Sequence, residues 1–111
     1  MKQLTKAEED IMQILWQLKK ANVKAIIEEI SEPKPAYNTV STIVRILETK
    51  GFVGYEKQGK GHVYFPIVDK QDYSYQSINK LVDNYFQGSF KNMVSFFMKK
   101  NDMSKKDIKP E

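Results

Sequence analysis

Three short amphipathic helices, a basic β-hairpin and two more aromatic helices, in that order, predict a mainly α fold with a small β-hairpin wing. The arrangement reads as a winged helix-turn-helix followed by C-terminal dimerisation helices. Three observations carry the prediction. Apolar residues recur at helical spacing in three early segments, a Gly-Lys-Gly turn sits between two β-rich flanks, and helical periodicity returns near the end. The expected division is a winged-helix domain over 1–68 and a helical dimerisation segment over 69–111.

The first helix starts near Lys6, because Thr5 is followed three residues later by Glu8, the spacing of a capping box. Its apolar stripe is Leu4, Ala7, Ile11, Ile14, Leu15 and Leu18, with Trp16 beside it as a packing residue. Glu8-Glu9-Asp10 resembles a metal cluster in composition. It lies in a first helical turn, where acids offset the positive end of the helix dipole. Asn22 is placed to cap a second helix with the stripe Val23, Ile26, Ile27 and Ile30, which Glu32-Pro33-Lys34-Pro35 ends.

The third helix opens at Asn38, or at Tyr37 just before it, and ends at Lys50-Gly51. Val40, Ile43, Val44 and Leu47 form its inner stripe. Asn38, Ser41, Thr42, Arg45 and Thr49 fall on the other side, a narrow polar face suited to a DNA major groove. Phe52–Lys57 and His62–Pro66 are the two strands of a hairpin about Gln58-Gly59-Lys60-Gly61. After a polar connector around Asp69–Asp72, Ile78, Leu81, Val82, Tyr85 and Phe86 make one stripe. Gly88-Ser89 interrupts it, and Phe90, Met93, Val94 and Phe97 make the next. Helices this short and this aromatic need a surface to bury against, and a second copy of themselves supplies one.

Charge supports a polyanionic partner. Residues 34–66 hold five basic residues against two acids, whereas residues 1–33 hold five lysines against six acids. The expected DNA-binding residues are Tyr37, Asn38, Thr39, Ser41, Thr42, Arg45, Lys50, Lys57, Lys60 and His62. Arg45 is the candidate base reader, since a guanidinium pairs with both acceptors of guanine. Lys57 and Lys60 are candidate phosphate contacts, with Tyr37 and Lys50 holding backbone. Catalysis finds no motif: one histidine, no cysteine, no phosphate-binding glycine loop and no metal-ligand pattern. No cofactor and no metal are expected. No membrane-spanning run and no signal-peptide core are visible, so the expected location is cytoplasmic. The competing class is a protein-interaction module that binds an acidic partner, and RNA binding is a weaker third because no aromatic stacking platform is evident.

Leu4–Trp16, Tyr37–Gly51 and Tyr85–Phe90 together resemble the penicillinase-repressor (BlaI/MecI) family, over nearly the whole chain. The helix-one pattern ending in Trp16 and the threonines Thr39 and Thr42 are the most specific parts. The resemblance implies a dimeric repressor that places helix three on a palindromic operator. It also implies contacts exchanged between subunits by the last helices, and control of β-lactam resistance genes by a membrane sensor-protease that cleaves those helices. Several features depart from the family. The scissile asparagine-phenylalanine pair would fall near Phe96-Phe97, where the asparagine is absent. Relatives with known operators often carry arginine where this chain has Ile46 and lack it where this chain has Arg45. The cysteine pair of the copper-responsive branch is missing, and the tail after Asn101 is shorter than usual.

Overall fold

In the computed structural model, which describes residues 2–101, the chain forms α1 (Lys6–Leu18), α2 (Val23–Glu28), α3 (Tyr37–Thr49), β1 (Val53–Gln58), β2 (Gly61–Pro66), α4 (Lys70–Tyr85) and α5 (Phe90–Lys100). Two compact units divide the chain, the first running through Tyr73 and the second starting at Ser74.

The capping box of α1 is complete. Glu8 N donates to Thr5 Oγ1 at 3.2 Å and Thr5 N donates to Glu8 Oε1 at 3.0 Å. The buried face differs from the expected stripe. Ala7 is exposed, while Met12 is fully buried and Glu8 lies at the face's N-terminal end with Ile11, Met12 and Leu15. These four share one side at helical spacing, and Ala7 falls at its edge. Asn22 caps α2 by accepting from Ala25 N at 2.8 Å. The linker between α1 and α2 pairs with the hairpin, Ala21 and Tyr64 exchanging backbone bonds of 2.9 and 2.8 Å. This pairing locks the start of α2 to β2.

On α3, Val40, Val44 and Leu47 are buried and Ile43 is half-buried, as the spacing predicts. The helix ends in a Schellman motif. Gly51, at φ 83°, lets Gly51 N reach Glu48 O at 3.0 Å and Phe52 N reach Leu47 O at 2.9 Å. Phe52 is thereby driven into the core, where it is 1% exposed. The hairpin register pairs Gln58 with Gly61, leaving Gly59-Lys60 as the two-residue turn. Gly59 supplies the positive φ, 62°, that a II′-type turn needs at its first position.

The polar connector expected around Asp69–Asp72 is instead the beginning of α4. Asp69 O accepts from Tyr73 N at 3.0 Å, and the Asp72 carboxylate sits in the first turn. The first unit therefore runs five residues past the expected boundary at 68. Tyr73 explains the extension. Its ring lies 5.9 Å from Trp16 and 5.7 Å from Phe52, and its hydroxyl donates to Glu9 Oε2 at 2.7 Å. Trp16 Nε1 donates to Val68 O at 2.8 Å, so the indole serves packing, as expected.

In the second unit, the turn between α4 and α5 has Gln87 at φ 54° and Gly88 at φ 78°, and Ser89 caps α5 by accepting from Asn92 N at 3.1 Å. Val82 is the one buried hydrophobic among that unit's described residues. Phe86, Met93 and Val94 are half-buried, with the Phe86 ring 5.5 Å from Phe96. Ile78, Leu81, Tyr85, Phe90, Phe96 and Phe97 remain exposed. No helix among the described residues is long and apolar enough to cross a membrane.

Candidate nucleic-acid interface

Burying Val40, Val44 and Leu47 turns Asn38, Thr42, Arg45 and Thr49 outward, because these positions lie opposite the stripe at 100° per residue. Ser41 and Glu48 flank this face on the side toward the wing, and Thr39 and Ile46 flank it on the other. Arg45 has neither a hydrogen bond nor an ion pair among the described residues, which leaves its five donors free. The hydroxyls of Thr42 and Thr49 donate back to Asn38 O at 2.8 Å and Arg45 O at 3.0 Å. Their protons are thus spent on the helix, and each presents a methyl group and an acceptor oxygen outward.

A cleft of about 370 Å³ opens between α3 and the wing. It gathers six of the expected residues, Tyr37, Asn38, Ser41, Arg45, Lys60 and His62, and adds Asn22, Lys24 and Tyr64. A smaller recess of about 170 Å³ adjoins it, lined by Arg45, Glu48, Tyr55, His62 and Tyr64. Along the wing, Tyr55 lies directly across from Tyr64 and Lys57 from His62. All four therefore share one face of the hairpin. The Tyr55 and His62 rings meet edge to face at 4.9 Å. Burial, and secondarily the Glu48 charge, push the Tyr64 hydroxyl above its ordinary pKa, so it stays protonated at neutral pH. Lys57 and Lys60 are exposed, with Lys60 at the tip.

Lys50 departs from expectation. Its ammonium lies 2.6 Å from Glu8 Oε1 and 3.4 Å from Gln3 O, and it is only half-exposed. It ties the end of α3 to the start of α1 and is not a free cation for the DNA backbone. The same Glu8 oxygen completes the α1 capping box, so one carboxylate joins two helix ends. Burial works to raise the Glu8 pKa and is the largest single influence. The Lys50 and Thr5 hydrogen bonds with the Lys50 charge together outweigh it, and the carboxyl is held below its usual range.

Lys24 and Asn22 carried no sequence signal as interface residues. They join the cleft only because the Ala21–Tyr64 pairing brings the start of α2 alongside the wing.

An exposed polar helix face with an arginine unpaired among the described residues, flanked by a basic wing, is the arrangement of a winged-helix DNA-binding protein. Residues 4–110 match the penicillinase repressor family, and the chain belongs to that family. It is 31% identical over 107 residues to the methicillin resistance regulatory protein MecI of Staphylococcus aureus strain N315, covering 96% of this chain and 87% of that protein. It is 26% identical to the penicillinase repressor of Bacillus licheniformis, covering 96% of this chain and 84% of that one. Among solved structures, the DNA-binding domain of the repressor BlaI superposes with a TM-score of 0.56 at 30% identity, over 64% of this chain and 88% of that one. Monomeric Bacillus licheniformis BlaI in complex with the blaP half-operator superposes with a TM-score of 0.54 at 30% identity, over 65% of this chain and 89% of that one.

Proposed function

We propose that the chain acts as a homodimer on a palindromic operator, each subunit placing α3 in a major groove and its wing against the flanking backbone. The observation that supports this most is the outer face of α3. It is polar, carries an arginine with no hydrogen-bond or ion-pair partner among the described residues, and borders a cleft that includes Lys60 of the wing tip. A relative of 30% identity is known bound to a half-operator, in keeping with one half-site per subunit. Arg45 is the base reader in this proposal. Tyr37, Asn38, Thr39, Ser41, Thr42, Lys57, Lys60 and His62 contact backbone or base edges, and Lys50 is left out because Glu8 holds it. The dimer forms through Ile78, Leu81, Val82, Tyr85, Phe86, Phe90, Met93, Val94 and Phe97, most of which stand exposed or half-exposed in the single chain.

The cytoplasm is the proposed site of action, and no catalytic step is part of the proposal. Control through a membrane sensor-protease is its outermost element. No Asn-Phe pair occurs anywhere in the sequence, so a protease acting on this chain must cut another bond. Blotting the repressor after β-lactam challenge reads this directly, since an intact chain during derepression excludes cleavage.

A mobility-shift titration on palindromes recovered from genomic fragments, with random competitor duplex, tests the central reading. Roughly a thousandfold preference for one palindrome and a steep loss of affinity with salt are expected. Equal affinity for all duplexes rejects an operator-specific repressor and favours the acidic-partner module. Sedimentation as a monomer at micromolar concentration rejects the dimer.

A further inference from the structure

We infer that Lys24 contacts the DNA backbone, holding one phosphate beside the one that Lys60 contacts, at the end of the cleft where α2 meets the wing. The inference rests on the repressor reading above and adds a third element, α2, to the surface that holds the duplex.

Four other lysines of the first unit are committed within the protein. Lys6 pairs with Asp10, Lys20 with Glu56 and Lys50 with Glu8, and the Lys34 ammonium donates to three carbonyls at the end of α2. Lys24 and Lys60 have no such partner among the described residues, yet both line the same cleft. Lys24 is also firmly placed. It is the second residue of α2, whose start is held to β2 by the two Ala21–Tyr64 bonds and capped by Asn22. That cap occupies the Ala25 amide, so attraction for an anion comes from the lysine and not from the end of a short helix.

Charge is sorted along the cleft. Its charged lining residues, Lys24, Arg45 and Lys60, are all cationic, whereas the adjoining recess holds Glu48 beside Arg45. A phosphate is therefore drawn to the Lys24 end and repelled from the Glu48 end, which leaves the Arg45 guanidinium for bases. A duplex whose groove receives α3 runs its backbone past both edges of that helix, and Lys24 and Lys60 line the cleft along one of them.

Fluorescence anisotropy of the full-length protein, with a selected palindrome and a random duplex across a salt series, tests the assignment. Lys24→Gln should weaken binding to both duplexes alike, by roughly eightfold near 0.1 M salt, and lower the salt slope by about 0.9, the signature of one lost phosphate contact. Lys24→Arg should restore both. Lys6→Gln, remote on α1, should change neither, and thermal midpoints should stay level because Lys24 is exposed. A Lys24→Gln slope equal to that of the unaltered protein, on a palindrome the latter binds steeply, overturns the inference and leaves the repressor reading intact. Loss confined to the palindrome overturns it too, since a backbone contact is blind to sequence. If the unaltered protein shows no salt-dependent binding to either duplex, the repressor reading itself fails, and this inference with it.

Discussion

The two units of this chain hold apolar residues in similar proportion and bury them very differently. In the first, α1, α2, α3 and the hairpin enclose a core with Met12, Leu15, Ile26, Val44 and Leu47 at 0% exposure. In the second, Val82 alone among the described hydrophobics is buried, while Tyr85 is 76% exposed and Phe90 61%. Burial of apolar area is the main favourable term in folding, at about 25 cal/mol per Å². The first unit satisfies it within one chain. The second leaves Tyr85, Phe90, Phe96 and Phe97 exposed, and exposed apolar surface is what an association site needs, which is why the proposed dimer interface belongs there. DNA contact is proposed on the self-contained unit, where positions of side chains are fixed by packing.

This contrast can be broken at several points. Leu15→Ala should destabilise the first unit by about 2–5 kcal/mol, whatever the protein concentration, as chemical denaturation would read. Tyr85→Asp should instead act through assembly, moving the sedimenting species from dimer to monomer. A concentration-independent loss as large as that of Leu15→Ala would show that Tyr85 packs within its own chain and would undo the contrast.

Lys50→Met leaves the Glu8 carboxylate buried without its partner and should cost about 2–3 kcal/mol, somewhat less than breaking a wholly buried pair. Acid sensitivity sharpens the same point. The Glu8 carboxyl is held below its ordinary pKa, so it contributes stability above the unfolded-state value near 4.5 and loses it as pH falls through the folded value. Glu8→Gln should flatten that acid limb of the stability profile while lowering stability at neutral pH. An unchanged acid limb would remove Glu8 as the joint between α1 and α3.

Arg45→Ala should leave the denaturation midpoint in place and cost about 1–3 kcal/mol of binding to the preferred palindrome. An equal loss on random duplex would reassign Arg45 to the phosphates. The smallest effect is expected at Lys20→Ala. Its pair with Glu56 is about half exposed on both sides, and removing it should shift stability by about 0.5 kcal/mol or less.

Much of the fold was legible because its signals are local. The Thr5–Glu8 box, the Asn22 cap and the Gly51 terminator each act within a few residues, and α1, α2 and α3 begin or end where they place them. The strands run one residue further toward the turn on each side than expected, to Gln58 and from Gly61. The outer face of α3 was legible for a related reason, since 3.6-residue periodicity fixes what lies opposite a buried stripe. Where α4 begins was less so. Its first turn is polar, and Tyr73 joins the first unit through Trp16 and Phe52, residues remote from it in sequence.

By itself, then, the sequence determined the order of elements, the polar outer face of α3 and the presence of a basic wing, because each depends on neighbours along the chain. The tertiary structure alone decided which lysines are free. Lys50 and Glu8 meet across 42 residues, which converts an expected DNA contact into a strut between helix ends. Lys24 reaches the cleft only because Ala21 pairs with Tyr64. A charged side chain's role is set by what folding brings within a few ångströms of it, and periodicity carries no record of that distance.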